Sequence, residues 1–590
     1  MERRPGSSAD SRCLDAIAIA LDQSWGMKRW YTSTMELQLV SLDFCVACRS
    51  VSTLHLIIDD DTPSRLLGCG ADGGVPSIAS NTPDGLQTES RSSSAQFCRA
   101  VRRRPPQLSN FVDKSAGCES RVPRFQARSV TWGLASSEPL RNQIGALSKV
   151  KSFVFGNAFN DRVEGVSWPP RLDRLVFDIQ FERIEWRQHF TNGSGFNRRV
   201  EGVPWPTSLK QLVFGEFFNQ PIERVSWPAS LEQLVFGWEF NQRIGQAVWP
   251  PSLRRLVFGV RFNQKVETVK WPKSLQQLLF GSSFNQPIEE MVMPGALQHL
   301  SFSGCFDQPV ERVTWPASLQ LLSFGWNFNQ PIEGTAWSHT TMKRLTFGDG
   351  FNQAVEDVKW PSFLEQLVFG RSFNQCVVRA AWPESLRELT LGDSFDQEIV
   401  GVKWPPDLRC LTFGCRFNQE VSRAILPGSL QRLVFGNCFN QPIVETVFPA
   451  SLQLVVFGDN FNHPIAGVAW PASLRRLTFG YHFDRPIDGD GCAWPSSLQH
   501  LTLGRRFGQP LQAIGPSIPG LLDLTLLATR WIYPHSLQDV QWPAGMRKLC
   551  VHGSWDWEGV EFPESIQVLF LSSRALDLRA FERVFENIYE

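Results

Sequence analysis

One phrase recurs along most of this chain at a fixed interval. Residues 212–244 are LVFGEFFNQPIERVSWPASLEQLVFGWEFNQRI, and the pattern L-V-F-G-x-x-F-N-Q appears in them twice, 22 residues apart. A repeat array forms one elongated body in which each unit packs on its neighbours. The length of 590 residues therefore does not imply several globular domains.

The repeat is numbered here from its first Leu, so that Leu209, Leu231 and Leu253 are position 1. Position 10 is Phe, and this Phe recurs at 196, 218, 240, 262, 284, 306, 328, 351, 373, 395, 417, 439, 461 and 483, with one inserted residue before 351. Phe507 marks a weaker copy. On the N-terminal side, Phe159 and Phe181 mark two more copies, followed by a shortened unit around Phe190.

The spacing L-x-x-L-x-F at positions 1 to 6 predicts one short strand per coil, at positions 3 to 5. Position 5 is often β-branched, as at Val213 and Thr346, which favours a strand. Positions 1, 4, 6, 10, 14 and 19 are apolar and are expected to point inward. The predicted fold is a repeat solenoid, a leucine-rich-repeat-like curved (horseshoe) array with one short parallel β-strand per coil. It is mostly β and irregular structure, with a short C-terminal helix as a cap.

Three other positions have distinct expected roles. Gly at position 7 predicts either a close backbone approach or a positive φ. Trp at position 19 is replaced by Met293, Leu426 or Phe448 in other copies, so we interpret it as a space-filling residue, with an aromatic ligand cage as the alternative. Pro at position 20 suits a turn back to the strand.

Position 11 is Asn or Asp in every regular copy, and both residues have a side-chain oxygen that accepts hydrogen bonds. We expect this oxygen to accept a backbone N–H in the bend after the strand, once per coil. Stacked metal sites are the alternative, but a mostly neutral amide column is a poor set of cation ligands. The predicted structural column is Asn219, Asn241, Asn263, Asn285, Asp307, Asn329, Asn352, Asn374, Asp396, Asn418, Asn440, Asn462 and Asp484.

The phrases FNQPIE, L-x-x-L-x-F-G-x-x-F-N and W-P-x-S-L resemble the FNIP repeat, a 22-residue relative of the leucine-rich repeat. The resemblance covers about 150 to 510. It implies a horseshoe solenoid used for protein–protein interaction. The family usually has Leu-Pro where this chain has Trp-Pro. Some members of the family carry an F-box or a kinase domain, and neither is evident in this sequence.

The regions outside the repeats differ from the array and from each other. Residues 1–145 are predicted to be a low-complexity, poorly ordered region. The alternative is that 35–61 is ordered, as eroded repeats or as a pair of strands. The array is assigned to 146–515. Residues 516–590 are predicted to hold degenerate repeats, with strands at 521–526, 546–551 and 566–571, and a final helix whose apolar residues recur at helical spacing.

The charge, the apolar runs and the cysteine spacing argue against nucleic-acid binding, a membrane span and a zinc site. Lys plus Arg and Asp plus Glu both number 58, so nothing in the overall charge implies nucleic acid. No apolar run is long enough to span a membrane. The 13 Cys are irregularly spaced and the single CxxC, Cys45–Cys48, has no second pair for zinc. We expect free thiols, no cofactor, no metal and a cytoplasmic monomer.

No catalytic constellation stands out among these near-identical coils, so we expect a non-catalytic interaction scaffold with protein partners. The alternatives are a receptor-like binder of a small or carbohydrate ligand and an adaptor for a multi-subunit enzyme complex. Only the variable positions 2, 3, 5 and 8 can determine which partner binds, because the core positions are uniform. These variable positions are often Gln, but their residues change towards the C-terminal end. The candidate residues, for an acidic or phosphorylated segment, are Arg432, Arg475, Arg476, Tyr481, His500 and Arg505, with Trp238 and Trp326 adding apolar contacts.

Overall fold

The strands of this protein pair side by side, in sequence order, into one parallel sheet. The computed structural model describes residues 149–156, 159–177, 195–487, 491–527, 535–552 and 560–572, together with three strands nearer the N-terminus. Within these residues there are 22 strands, each parallel to the next along the chain. The predicted fold class is confirmed as a parallel β-solenoid with one strand per coil and almost no helix.

The described strands are β1 Leu54–Ile58, β2 Leu108–Asp113, β3 Ser129–Trp132, β4 Ser152–Phe155, β5 Arg174–Phe177, β6 Gln211–Val213, β7 Gln233–Val235, β8 Arg255–Val257, β9 Gln277–Leu279, β10 His299–Ser301, β11 Leu321–Ser323, β12 Arg344–Thr346, β13 Gln366–Val368, β14 Glu388–Thr390, β15 Cys410–Thr412, β16 Arg432–Val434, β17 Leu454–Val456, β18 Arg476–Thr478, β19 His500–Leu503, β20 Asp523–Leu526, β21 Lys548–His552 and β22 Val568–Ser572. From β4 to β20 the strands are three or four residues long and begin at position 3 of each repeat, whereas β1, β2, β21 and β22 have five or six residues.

The core is a set of apolar columns that run through the whole stack. In one coil, Leu231, Leu234, Phe236, Phe240 and Ile244 are all fully buried, and neighbouring coils repeat this pattern. The two Phe rings of a coil stack at 4.0 Å, and each also stacks on its counterpart in the next coil, at 5.7 Å for position 6 and 6.1 Å for position 10. Burying each such side chain contributes about 1.5–3 kcal/mol. Because one coil cannot enclose its own Phe pair, the coils stabilise one another.

Position 11 forms a hydrogen-bonded ladder between coils, which we call the Asn ladder. The side-chain oxygen of Asn219 accepts the backbone N–H of Asn241 at 3.0 Å and the Nε2–H of Gln242 at 2.9 Å. The backbone bond recurs at each step of the column from Asn160 to Gly508. The accepted N–H thus belongs to the bend of the following coil. Asp307 forms the same two bonds, because they use only the side-chain oxygen.

A second ladder uses Ser at position 22. The Ser230 hydroxyl donates to the Leu209 carbonyl at 2.7 Å, and the Ser274 hydroxyl donates to the Leu253 carbonyl at 2.8 Å. The W-P-x-S-L phrase therefore contains an inter-coil contact for which the sequence interpretation gave no role.

Gly at position 7 is required by the close approach of neighbouring backbones. A Cβ at Gly259 would lie 1.6 Å from the carbonyl oxygen of Gly237, and a Cβ at Gly237 would lie 1.7 Å from that of Gly215. None of these three glycines has a positive φ. Of the two expectations for position 7, the close approach is the correct one.

Trp at position 19 packs in the core beside the Phe at position 6. Trp205 stacks on Trp227 at 6.2 Å, and Trp249 stacks on Trp271 at 6.1 Å. Trp249 is buried, and its indole Nε1 has no hydrogen-bond partner within the described part of the chain. Rings packed on one another leave no space for a ligand, so these residues fill space and do not form an aromatic cage.

The expected copies at Phe181 and Phe190 are not separate coils. Strand β5 pairs directly with β6, and the Asn160 side chain bonds directly to the Asn197 N–H. Phe177 stacks on Phe196 at 4.2 Å, as do the two Phe of a single coil. Phe177 and Phe196 therefore belong to the same coil, and Phe181 and Phe190 themselves lie outside the described residues. The prediction was wrong because a Phe alone does not identify position 10.

The sheet continues beyond both predicted limits of the array. On the N-terminal side β1, β2 and β3 lead into β4, so strands exist before residue 146, and the domain boundary there stays a prediction. Strands β20, β21 and β22 confirm the three strands predicted after 516. The predicted final helix and Cys45–Cys48 lie outside the described residues. The described helix, Ile514–Ser517, is a single turn, and no described helix is long and apolar enough to cross a membrane.

Candidate partner-binding surface

Each coil exposes the side chains at the start and end of its strand. In β18, Arg476 is exposed, Leu477 is buried and Thr478 is half-buried, as expected from alternation along a strand. Arg475 at position 2 precedes the strand and is also exposed. We call the surface formed by positions 2, 3 and 5 of all coils the strand face.

The strand face carries an excess of positive charge in a chain whose net charge is zero. In the described coils, positions 2 and 3 hold 14 Lys or Arg and 5 Asp or Glu, an excess of nine. The basic residues are Lys151, Arg174, Lys210, Arg254, Arg255, Lys343, Arg344, Arg387, Arg409, Arg432, Arg475, Arg476, Arg547 and Lys548; the acidic residues are Asp173, Glu232, Glu365, Glu388 and Asp523.

Many of the earlier cations are paired within the protein. Lys151 lies 3.8 Å from Asp173 and Lys210 lies 3.7 Å from Glu232, in each case between neighbouring coils. Glu365 similarly pairs with Lys343 at 3.5 Å and with Arg387 at 4.0 Å. These exposed pairs add little stability, but they neutralise the surface on which they lie.

Five consecutive coils lack such acidic partners at positions 2 and 3. They begin at Leu408, Leu430, Leu452, Leu474 and Leu498. Positions 2 and 3 contain no acidic residue between Glu388 and Asp523. Arg409, Arg475 and Arg476 are exposed and make no ion pair with the described residues. In this stretch of the strand face, from β15 to β19, no acidic side chain of the described coils lies at position 2 or 3 beside the arginines.

The structure brings together part of the predicted set. Arg432 on β16 and Arg476 on β18 lie on either side of Leu454 on β17, in register, and Arg475 precedes Arg476. His500 is next in register, but its Nδ1 lies 2.8 Å from the Asp523 carboxylate. His500 therefore marks the end of the basic stretch instead of adding to it.

Tyr481 and Arg505 occupy position 8, just after the Gly that ends the strand, and both are half-buried. The Arg506 guanidinium carbon lies 5.7 Å from the centre of the Tyr481 ring, a cation–π contact. The Tyr481 backbone N–H donates to Asp459. These residues form the margin of the strand face next to the bend, where the Tyr ring already has a cation of this chain against it.

Trp238 and Trp326 are distant from the arginines. Trp326 is 68% exposed, but its strand β11 is separated from β16 by four intervening strands. Trp238 follows β7, still further away, and is half-buried. One short segment bound near Arg432 and Arg476 does not reach either Trp.

Sequence reasoning missed two parts of this surface. Arg409 was not considered, although it occupies position 2 like Arg475. Leu454, Val434 and Val456 are half-buried on the strand face and form an apolar patch between the arginines. Comparing positions 2, 3 and 5 from coil to coil, instead of reading along the chain, would have revealed both.

The remaining candidates for chemistry are weaker. Burial, and secondarily Glu388, raises the pKa of the Cys410 thiol, so it is a poor nucleophile. Cys415 and Cys438 form no disulfide bond within the described residues. Within the described residues no cluster of His, Cys, Asp or Glu is suited to a metal ion. An open depression of about 440 Å³ is lined by Asn462, His482, Asp484 and Arg506, but Asn462 and Asp484 are already bonded in the Asn ladder.

Comparison with known proteins identifies the repeat. A family model described as FNIP Repeat matches residues 196–239, 218–260, 262–305, 351–394 and 439–482. These parts of the chain carry FNIP repeats. The resemblance inferred from the FNQPIE and L-x-x-L-x-F-G-x-x-F-N phrases is thereby confirmed. No curated protein matches the chain.

Solved structures place the FNIP solenoid with leucine-rich-repeat proteins. CroV588, described as a novel circular LRR protein, is 29% identical with a TM-score of 0.55, over 75% of this chain and 76% of its own. An internalin (InlF) from Listeria monocytogenes is 13% identical with a TM-score of 0.32, over 51% of this chain and 82% of its own. The leucine-rich effector YopM from Yersinia pestis is 17% identical with a TM-score of 0.27, over 74% and 91%. Only the likeness to CroV588 supports an argument, and it concerns the fold.

Proposed function

We propose that this FNIP-repeat protein is a non-catalytic scaffold that binds an acidic or phosphorylated segment of a partner protein on the strand face between β15 and β19. Repeat solenoids typically act by binding, because near-identical coils offer an extended surface and no unique catalytic constellation. The observation that carries the proposal is the run of exposed arginines without acidic neighbours at positions 2 and 3. Elsewhere on this face, acidic residues of the same chain neutralise several of the cations.

Arginine suits this role because its guanidinium forms two parallel hydrogen bonds with a carboxylate or phosphate. The shallow apolar patch at Leu454 and Val456 supplies an area that a partner can bury next to the charged groups. Association driven by such contacts is faster and tighter at low ionic strength.

The test compares the full-length protein with two charge-reversed variants in partner capture at low and high ionic strength. The first variant is Arg409→Glu/Arg475→Glu/Arg476→Glu on the strand face. The matched control is Arg224→Glu/Arg312→Glu/Arg379→Glu, which reverses three exposed arginines at position 16 and changes the net charge equally. We expect the first variant to lose the partners that the wild type retains at low salt, and the control to keep them. Equal capture by all three proteins would eliminate this surface.

A further inference from the structure

The three strands at the middle of the arginine stretch have a symmetric arrangement. Position 3 is Arg432 on β16, Leu454 on β17 and Arg476 on β18, and these residues are paired in register across the sheet. Position 5 on the same strands is Val434, Val456 and Thr478. An apolar centre is thus flanked on both sides by an arginine.

The apolar centre favours a partner side chain of the same kind. Leu454, Val434 and Val456 are only half-buried, so a partner's aliphatic side chain placed over them would remove apolar surface from water. Excluding water there also strengthens ionic contacts at the two neighbouring arginines, as in the centres of protein interfaces.

The strand spacing sets the distance between the two anionic groups. Neighbouring strands lie about 4.8 Å apart, so the Arg432 and Arg476 columns are about 10 Å apart. A polyproline II segment rises about 3.1 Å per residue with three residues per turn, so residues i and i+3 point the same way about 9.3 Å apart. In a β-strand ligand, residues i and i+3 point to opposite faces. The spacing therefore suits a polyproline II backbone that crosses the strands.

The neighbours of each arginine favour carboxylates over phosphates. In register, Arg432 lies between Cys410 and Leu454, and Arg476 lies between Leu454 and His500. His500 is engaged with Asp523. Within the row of position 3, neither arginine has a second arginine beside it, and the adjacent Arg475 belongs to the row of position 2. One guanidinium matches the single charge of a carboxylate, whereas a phosphate carries about −1.5 to −2.

From these observations we infer that β16, β17 and β18 bind an extended, polyproline II-like acidic segment of a partner protein. Two Asp or Glu residues of that segment, three positions apart, contact Arg432 and Arg476. An apolar residue between them covers Leu454 and Val456. This inference rests on the proposed function, since it specifies the ligand of the same surface.

The test uses three fluorescently labelled peptides and the full-length protein, and the first two peptides have identical composition. In one peptide, which we call the acidic peptide, the core is Glu-Pro-Leu-Glu, with the two Glu three positions apart. In the second the core is Pro-Glu-Leu-Glu, with the two Glu two positions apart. A third carries phosphoserine in place of each Glu of the first. Binding is measured by fluorescence anisotropy.

We expect the acidic peptide to bind at least about tenfold more tightly than either other peptide, a difference of roughly 1.4 kcal/mol. Arg432→Gln and Arg476→Gln should each weaken its binding about tenfold or more, and Leu454→Ala should weaken it less. Arg254→Gln is the control, because Arg254 is an exposed strand-face arginine on a distant coil and should leave the affinity unchanged.

The inference is overturned if the two Glu spacings bind equally, if Arg254→Gln weakens binding as much as Arg476→Gln, or if none of the peptides binds. Tighter binding of the phosphoserine peptide would reject the carboxylate assignment. These outcomes differ from a failure of the proposed function, which would appear as unchanged partner capture by the charge-reversed triple variant. Circular dichroism of each variant confirms that the solenoid is still folded.

Discussion

The side-chain oxygen at position 11 bonds each coil to the next. Asn263 accepts the N–H of Asn285 at 3.0 Å and the Nε2–H of Gln286 at 2.9 Å. Asp307 makes the equivalent bonds to Asn329 and Gln330 at 2.9 Å each. The role of the oxygen could be predicted from the exchange of Asn for Asp between coils. The identity of its donors could not, because they lie one coil further along the chain.

We therefore expect Asn263→Leu to destabilise the protein by about 1 kcal/mol, since two donors lose their acceptor. The value lies near the lower end for a lost hydrogen bond, because Asn263 is half-buried and water can reach the site. Asn263→Asp should cost clearly less. The midpoint of urea unfolding measures both, and equal midpoints for the two variants would contradict this role.

At Trp249 the size of the ring matters more than its N–H group. Its ring is buried in the core, but its Nε1–H finds no acceptor among the described residues, which is unfavourable for a buried donor. Position 19 is Phe448 in a later coil, where the ring stacks on Trp470 at 5.4 Å.

Trp249→Phe is accordingly expected to change the free energy of unfolding by less than about 1 kcal/mol, because the lost contact area is offset by removal of the unpaired N–H. Phe258→Ala, at a fully buried ring of the same coil stack, should cost about 3–5 kcal/mol. If denaturant unfolding shows comparable losses for both variants, Trp at position 19 does more than fill space.

At the scale of the coil, the repeat period determines most of the structure. The strand at positions 3 to 5 and the inward apolar positions follow from the spacing L-x-x-L-x-F alone. Phe181 was assigned to position 10 from its local sequence, whereas Phe196 makes the contacts of position 10 in this coil. The pairing of β5 with β6 and the contacts of Phe196 and Asn197 distinguish the two, and all of them join residues that are distant in sequence.

Coil stacking gives a sharp prediction at position 7. Gly259→Ala places a methyl group 1.6 Å from the Gly237 carbonyl oxygen, so two backbones must separate and a loss of roughly 3 kcal/mol or more is expected. Gly295→Ala is the matched control, because its Cβ would have no atom within 4 Å and its φ is not positive. The control should unfold at the wild-type midpoint or slightly above it. Identical thermal stability of the two variants would argue against the close approach.

At the scale of the whole molecule, equal numbers of acidic and basic residues conceal an uneven distribution. The overall charge of zero gave no indication of a charged surface. In the described coils the strand face has nine more basic than acidic residues at positions 2 and 3. Acidic residues pair with its cations near β4, β6 and β13, whereas positions 2 and 3 hold no acidic residue from β15 to β18. The arginines themselves could be selected from sequence. Two further facts could be known only from the order of the strands in the structure. His500 pairs with Asp523, and both Trp residues lie far from the arginines.

The most direct test of the account is a charge exchange between protein and ligand. The Arg432→Glu/Arg476→Glu variant and the wild type are each titrated with the acidic peptide and with the same peptide carrying Lys in place of both Glu. If β16 to β18 recognise the ligand by charge, the wild type binds only the Glu peptide and the variant binds only the Lys peptide, a coupling that a double-mutant cycle quantifies. Retention of the Glu peptide by the variant at wild-type affinity would contradict the account, as would equal binding of both peptides by the wild type.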